Sequence, residues 1–300
     1  MYPVIAVARM ELAREVRKRS FYFLLFLAVL PIISSLILRY GMDRTVSDPS
    51  FWAVVMGFKT TGQVSFQEIV NLGTFMWLIA LLYGGDLLAS DLSDGTARLV
   101  LARGVRRLEY LAAKVLTVTL VLSLISASTG VAAFLSNAVL MGSMPPLEDL
   151  PLAIGLGALL GVGALPLLLL AASIGAMARK SLHGIVLGFV THLVVSTAIV
   201  IYVGLKITAT ASPEDLANIN TLLAAEQMKA MAYDPYQAGL ALPSLLYWVA
   251  NGGVIRDPLL TSQGIMLDAT SLAGTYALST LIGIALHIAF TAYILERADL

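Results

Sequence analysis

Six apolar runs, at residues 21–38, 69–88, 115–139, 152–177, 184–205 and 272–295, recur along this chain. Each approaches or exceeds the roughly 20 residues that a helix needs to cross a hydrocarbon core. In hydrocarbon a chain can satisfy its backbone within one such segment only as a helix. The sequence therefore predicts an all-α integral membrane protein with six transmembrane helices in one domain, 1–300. Composition agrees: 58% of residues are hydrophobic, 13% are charged, and mean hydropathy is +0.86, outside the range of soluble domains. A net charge of zero gives no electrostatic footprint for nucleic acid. The absence of cysteine excludes disulfides, thiol catalysis and cysteine-ligated metals.

Ahead of the first run, Val4, Ile5, Ala8, Leu12 and Val16 recur at helical spacing, with Arg9, Glu11, Arg14, Arg17 and Lys18 mostly elsewhere on the wheel. The pattern predicts an amphipathic helix over 1–20 lying in the membrane interface. Pro31 and Pro166 sit inside the first and fourth runs and should kink them. Gly157 and Gly161 have the spacing of close helix packing, not of a phosphate loop. Of the 19 Lys and Arg, Arg39, Arg44, Lys59, Lys206, Lys229 and Arg256 fall on one side of the six runs and the rest on the other. The richer side holds both termini, which places them in the cytoplasm. The longest outer segment, 206–271, predicts a helix starting near Ser212-Pro213 and ending near Met231, then an apolar stretch at 240–250 too short to span. That stretch reads as interfacial or re-entrant.

The one strongly charged interruption is 86–114, on the cytoplasmic side. It keeps Leu99, Val100 and Leu101 among Asp86, Asp91, Asp94, Arg98, Arg103, Arg106, Arg107, Glu109 and Lys114. A small apolar anchor inside a charged rim suits a docking contact. The same arginines would also serve as topology signals touching lipid headgroups.

With its amphipathic first helix, six spans, charged loop after the second span and long outer segment before the sixth, the chain resembles the permease subunits of type-2 ATP-binding-cassette (ABC) exporters. Asp91, Asp94, Gly95 and Thr96, then Leu99 to Leu101, then Arg103 to Arg107, then Ala113 and Lys114 are similar to that family's loop after span two. Aspartates replace its usual glutamate, Gly104 stands where proline is common, and Ala113 where glycine is common. The resemblance implies a cell-membrane permease subunit with 86–114 as its cytoplasmic coupling loop. Asp91, Asp94, Gly95, Thr96, Arg98, Leu99, Leu101, Arg103, Arg106 and Arg107 would dock a separate ATPase subunit. ATP and magnesium would belong to that partner, and a second permease subunit, the same or different, would complete the pathway.

The chain lacks a GxxxxGK[ST] stretch, HExxH and GxSxG, and so has no Walker-type nucleotide site and no catalytic residue of those types. Asp91-Leu-Ser-Asp94-Gly95-Thr96-Ala97-Arg98 resembles the start of the CDP-alcohol phosphatidyltransferase signature, in which aspartates hold a divalent metal. It has one residue too few before Ala-Arg and lacks the later aspartate pair. A membrane-embedded enzyme of that kind, or a scaffold without transport activity, is the alternative expectation. His192 and His287 each lie nine residues from the inner end of their spans, at one depth. They are candidates for lining a translocation path, or for bonding to a neighbouring hydroxyl.

Overall fold

The computed structural model describes residues 2–18, 21–23, 25–26, 66–141, 147–212, 219–250, 253–255 and 266–297. The order is α1 (Tyr2–Arg17), α2 (Phe66–Leu87), α3 (Ala89–Ser93), α4 (Thr96–Leu101), α5 (Arg107–Met141), a 3-10 turn (Leu147–Asp149), α6 (Leu150–Gly163) and α7 (Leu165–Ala178). It continues with α8 (Ser181–Thr210), α9 (Ile219–Met231), α10 (Pro235–Ala250), the two-residue strands β1 (Val254–Ile255) and β2 (Leu267–Asp268), and α11 (Ala269–Arg297). The fold is all-α apart from that antiparallel strand pair.

Four helical stretches among the described residues are long and apolar enough to cross a membrane: Arg107–Ala132, Leu150–Ala178, Ser181–Thr210 and Ala269–Arg297. The chain is thus a multi-pass membrane protein. The expected second span coincides with α2, and the expected first span lies outside the described residues beyond residue 26. Pro166 leaves its mark as expected. A turn at Ala164 separates α6 from α7, yet Ala164 N–H still donates to Leu160 O and Leu168 N–H to Ala164 O, both at 3.1 Å. The two helices therefore form one rod interrupted at Ala164.

That rod is the centre of the bundle. Its most apolar window is 67% buried, against 17% for α8 and 22% for α11, which places those two on the perimeter. The rod packs on α5 through α6 and on α2, α8 and α11 through α7. Small residues set the distance. A Cβ on Gly157 would come within 2.5 Å of Ser126 O, and one on Gly161 within 2.7 Å of Leu122 backbone atoms. This is the close approach that the spacing predicts.

The 206–271 segment does more than connect. Helices α9 and α10 form a hairpin whose tip, Ala232 to Pro235, reaches the middle of the bundle. Pro235 abuts Gly283, the midpoint of α11, and Gly239 of α10 meets Gly163 of α6 backbone to backbone. The short apolar stretch is thus packed inside the bundle, with α10 covered by α6 and α11.

A Cβ at Gly239 would strike the Gly163 carbonyl, whereas one at Gly155 meets nothing within 4 Å. Gly239→Ala should lower stability by about 1–3 kcal/mol and depress the thermal midpoint in detergent. Gly155→Ala should leave that midpoint unchanged.

Candidate functional site

The chain turns sharply after α2. Short α3 ends at Asp94, Gly95 adopts the left-handed conformation (φ 73°), and α4 runs from Thr96 to Leu101. A second left-handed glycine, Gly104 (φ 83°), then returns the chain to α5. Both glycines sit where an L-residue would be strained. Thr96 is the first helical residue of α4, and Gly95 occupies the cap position without a side-chain bond. At the start of α5, the Glu109 carboxylate accepts from Arg106 N–H at 3.0 Å, closing the turn as half of a capping box.

Beneath this double turn lies a buried charge cluster. Lys114, 1% exposed, donates from Nζ to Glu11 at 2.8 Å and is paired with Asp91 at 2.5 Å. Asp91 also accepts from Arg14 Nη2 at 2.9 Å and from the Tyr110 hydroxyl. Arg14 approaches Glu11 at 3.2 Å, and Lys18 pairs with Glu15 at 2.7 Å. Glu11, Glu15 and Asp91 therefore meet Arg14, Lys18 and Lys114, with Asp86 3.9 Å from Lys18, and α1, α3 and α5 are joined by ion pairs. Burial works most strongly against the ionised form of Asp91. The Lys114 ammonium, the hydrogen bonds from Lys114 and Tyr110, and the Arg14 guanidinium together outweigh it and hold the carboxyl below its usual range.

The cluster reorients α1 relative to the expected amphipathic helix. Val7, Ala8, Glu11 and Glu15 face the protein, while Ile5 and Val16 are exposed. Burying two glutamates is costly unless each finds a cation, and Lys114, Arg14 and Lys18 supply them. The sequence signal was present in Lys114 itself, a lysine at the threshold of an apolar run that must find an acid. Its partner, 103 residues away, was not identifiable from spacing.

The expected docking residues divide. Asp91 is committed inward. Arg107 donates to the Leu295 and Glu296 carbonyls at 2.6 Å each, closing the end of α11. Leu101, Gly95 and Thr96 are half-buried, and Asp94, Arg98, Arg103 and Arg106 are exposed. Leu99 is 69% exposed at the outer face of α4, while its neighbour Ala97 is fully buried. Asp94 accepts from Ser93 Oγ at 3.2 Å, so the two aspartates keep separate partners. Beside α3 a recess of about 360 Å³ is bounded by Asp86, Ser90, Ser93, Arg179, Lys180 and Ser181.

The histidines sit apart from this end, within the bundle. His192 and His287 lie on either side of Tyr236, with ring centroids 6.0 and 5.8 Å from its ring. The Tyr236 hydroxyl and His287 Nε2 are 3.2 Å apart. Sequence spacing gave the two histidines a common depth. It did not reveal Tyr236, which arrives from the hairpin tip.

Asp91→Asn should remove the buried carboxylate shared by Lys114, Arg14 and Tyr110 and leave Lys114 with Glu11 alone, costing about 3–5 kcal/mol. The pH dependence has a definite sign. Because the folded carboxyl titrates below its unfolded value, its contribution is complete above about pH 4 and is lost as pH falls through the lower folded value. Acid titration of the thermal midpoint should be steeper for the wild type than for Asp91→Asn.

Residues 25–234 match the model of a family described as a protein of unknown function, DUF2705. This stretch runs from before α2 to the hairpin tip and covers more than half of the chain, which therefore belongs to that family. No curated protein matches the chain.

Proposed function

We propose that this DUF2705 member is the membrane-spanning permease subunit of an ABC exporter. Six helices would cross the cell membrane, with both termini cytoplasmic and α1 at the inner interface. A separate ATPase subunit would bind ATP and magnesium. The observation that carries the reading is α4: a short helix at one end of the bundle, with Leu99 exposed and Arg98, Arg103 and Arg106 exposed on it and just after it. An exposed leucine near exposed charge at the end of a membrane bundle suits a protein partner, with the anchor buried and the rim wet on docking.

The geometry also supports transmission. A push on α4 passes through α3 to Asp91, and from Asp91 to Lys114 on α5 and Arg14 on α1. Closure of two ATPases would move α1, α3, α4 and α5 as a unit and rock the spans between two states. A second permease subunit would provide the opposite wall of the path, and α8 and α11 present the apolar surface for such a partner or for lipid. Asp91 is already held by two cations and a phenol, which disfavours the metal-dependent phosphatidyltransferase alternative.

Purification of the tagged full chain from its native membrane in mild detergent tests the proposal. An ATPase subunit should accompany it, and Leu99→Glu combined with Arg106→Glu should weaken retention at least about tenfold, the scale of losing one hot-spot anchor, without moving the thermal midpoint. A chain isolated alone, or retention unchanged in the double variant, contradicts the docking role. Metal-dependent headgroup exchange by the chain alone would instead identify an enzyme.

A further inference from the structure

Ser196 lies at the middle of α8, and there the hairpin tip brings polar groups into an otherwise apolar bundle. The tip satisfies itself. The Asp234 carboxylate accepts from Tyr236 N–H at 2.9 Å and from Ser196 Oγ at 3.2 Å, while Gln237 Nε2 donates to Ser196 Oγ at 2.7 Å. Next to it four rings from four helices form a row: Trp77 on α2, His192 on α8, Tyr236 on α10 and His287 on α11. Successive centroids are 5.2, 6.0 and 5.8 Å apart.

The two ends of the row differ. At one, Tyr236 and His287 are hydrogen-bonded. At the other, Trp77 Nε1 and His192 Nδ1 are buried without a partner among the described residues, and His192 is only 8% exposed. Buried polar atoms are nearly always paired, so two orphans on touching rings point to a missing third group. That group must accept from an indole N–H, which only donates, and it can donate to a neutral imidazole nitrogen. A hydroxyl does both.

The surroundings select what carries the hydroxyl. Phe189 meets Trp77 edge-on at 5.0 Å, and Asp234 is committed to the hairpin tip. A charged headgroup at this depth would lack a counter-ion, which is expensive inside a membrane. Leu78 and Leu193, each adjacent in sequence to one of the two rings, are exposed, as is Phe189. The orphan pair thus lies just inside the apolar outer surface between α2 and α8.

We propose that Trp77 and His192 bind the hydroxyl group of a neutral amphiphile reached from the apolar phase. Its oxygen accepts from Trp77 Nε1–H, its proton is donated to His192 Nδ1, and its apolar body lies along Phe189 and Leu193. This site stands apart from the exporter reading, because binding needs no ATPase.

The test uses the full chain in phosphatidylcholine vesicles and two photoactivatable probes, a diazirine-bearing hexadecanol and the matching diazirine-bearing hexadecane. Labelling is mapped by peptide mass. The alcohol should label the peptides carrying 77 and 189–193 about tenfold more than the hydrocarbon, the factor that about 1.4 kcal/mol of hydrogen bonding gives. Trp77→Phe and His192→Leu should each reduce alcohol labelling to the hydrocarbon level, while His192→Asn, which keeps an acceptor near Nδ1, should retain it. Hydrocarbon labelling in each variant reports that the apolar surface is intact. Equal labelling by the two probes in the wild type, or alcohol labelling unaltered by Trp77→Phe, overturns the proposal. Neither result bears on whether an ATPase co-purifies.

Discussion

Lys114 sits where α5 enters its apolar run, and its ammonium is held between Glu11 of α1 and Asp91 of α3. An ammonium buried this deeply is costly unless it is paired. Two carboxylates on different segments pair with it, and the arrangement fixes both segments to α5. Arg14 closes the circuit from α1 to Asp91. The position of α4, which follows Asp91 after a single glycine turn, depends on this contact, as does the inward rotation of α1. Buried ion pairs add little net stability compared with apolar packing, but removing one partner is severe. The cluster therefore serves to place segments relative to one another more than to strengthen the fold.

The other half of the architecture rests on proximity instead of charge. Where α2, α5 or α10 crosses the rod α6–α7, a small residue stands on at least one side of the contact. At Gly163 and Gly239 the approach is backbone to backbone. Only such contact lets the α9–α10 hairpin descend to the middle of α8 and α11. There it brings Asp234 and Tyr236 to a height at which polar groups need partners. The hairpin meets its own needs through Ser196 and Gln237, and beside it Trp77 Nε1 and His192 Nδ1 lack a partner among the described residues. The two polar centres are thus different in kind: one pairs opposite charges and joins segments, the other is uncharged and lies near the apolar surface.

Much of this was legible in the sequence, and the exceptions have physical causes. Long apolar runs announce helices because hydrocarbon leaves the backbone no other solution, and Pro166 and Gly95 impose their bends through local geometry alone. On α1, Val4, Ala8 and Leu12 of the expected apolar stripe pack on the protein, but Glu11 and Glu15 share that face. Which stripe faces inward depends on a lysine far along the chain. The depth of α10 was open for a similar reason, since contacts such as Pro235 on Gly283 have no signature in local spacing. In the charged loop, sequence reading named Leu99 as a candidate anchor and the arginines as a candidate rim, together with Asp91 and Arg107. It could not separate residues pointing outward from residues holding the loop in place.

The claim on which the rest depends is that α1 and the α3–α4 turn are held as one unit by Lys114. Hydrogen exchange of the full chain, followed over residues 2–17 and 89–101 in wild type and Lys114→Met, tests it directly. Protection in both segments should fall together by about two orders of magnitude in the variant, the equivalent of about 3 kcal/mol, while the interior of α7 keeps its protection. If only one segment loosens, or if neither does, the two are positioned independently and the buried charge cluster does not organise this end of the protein.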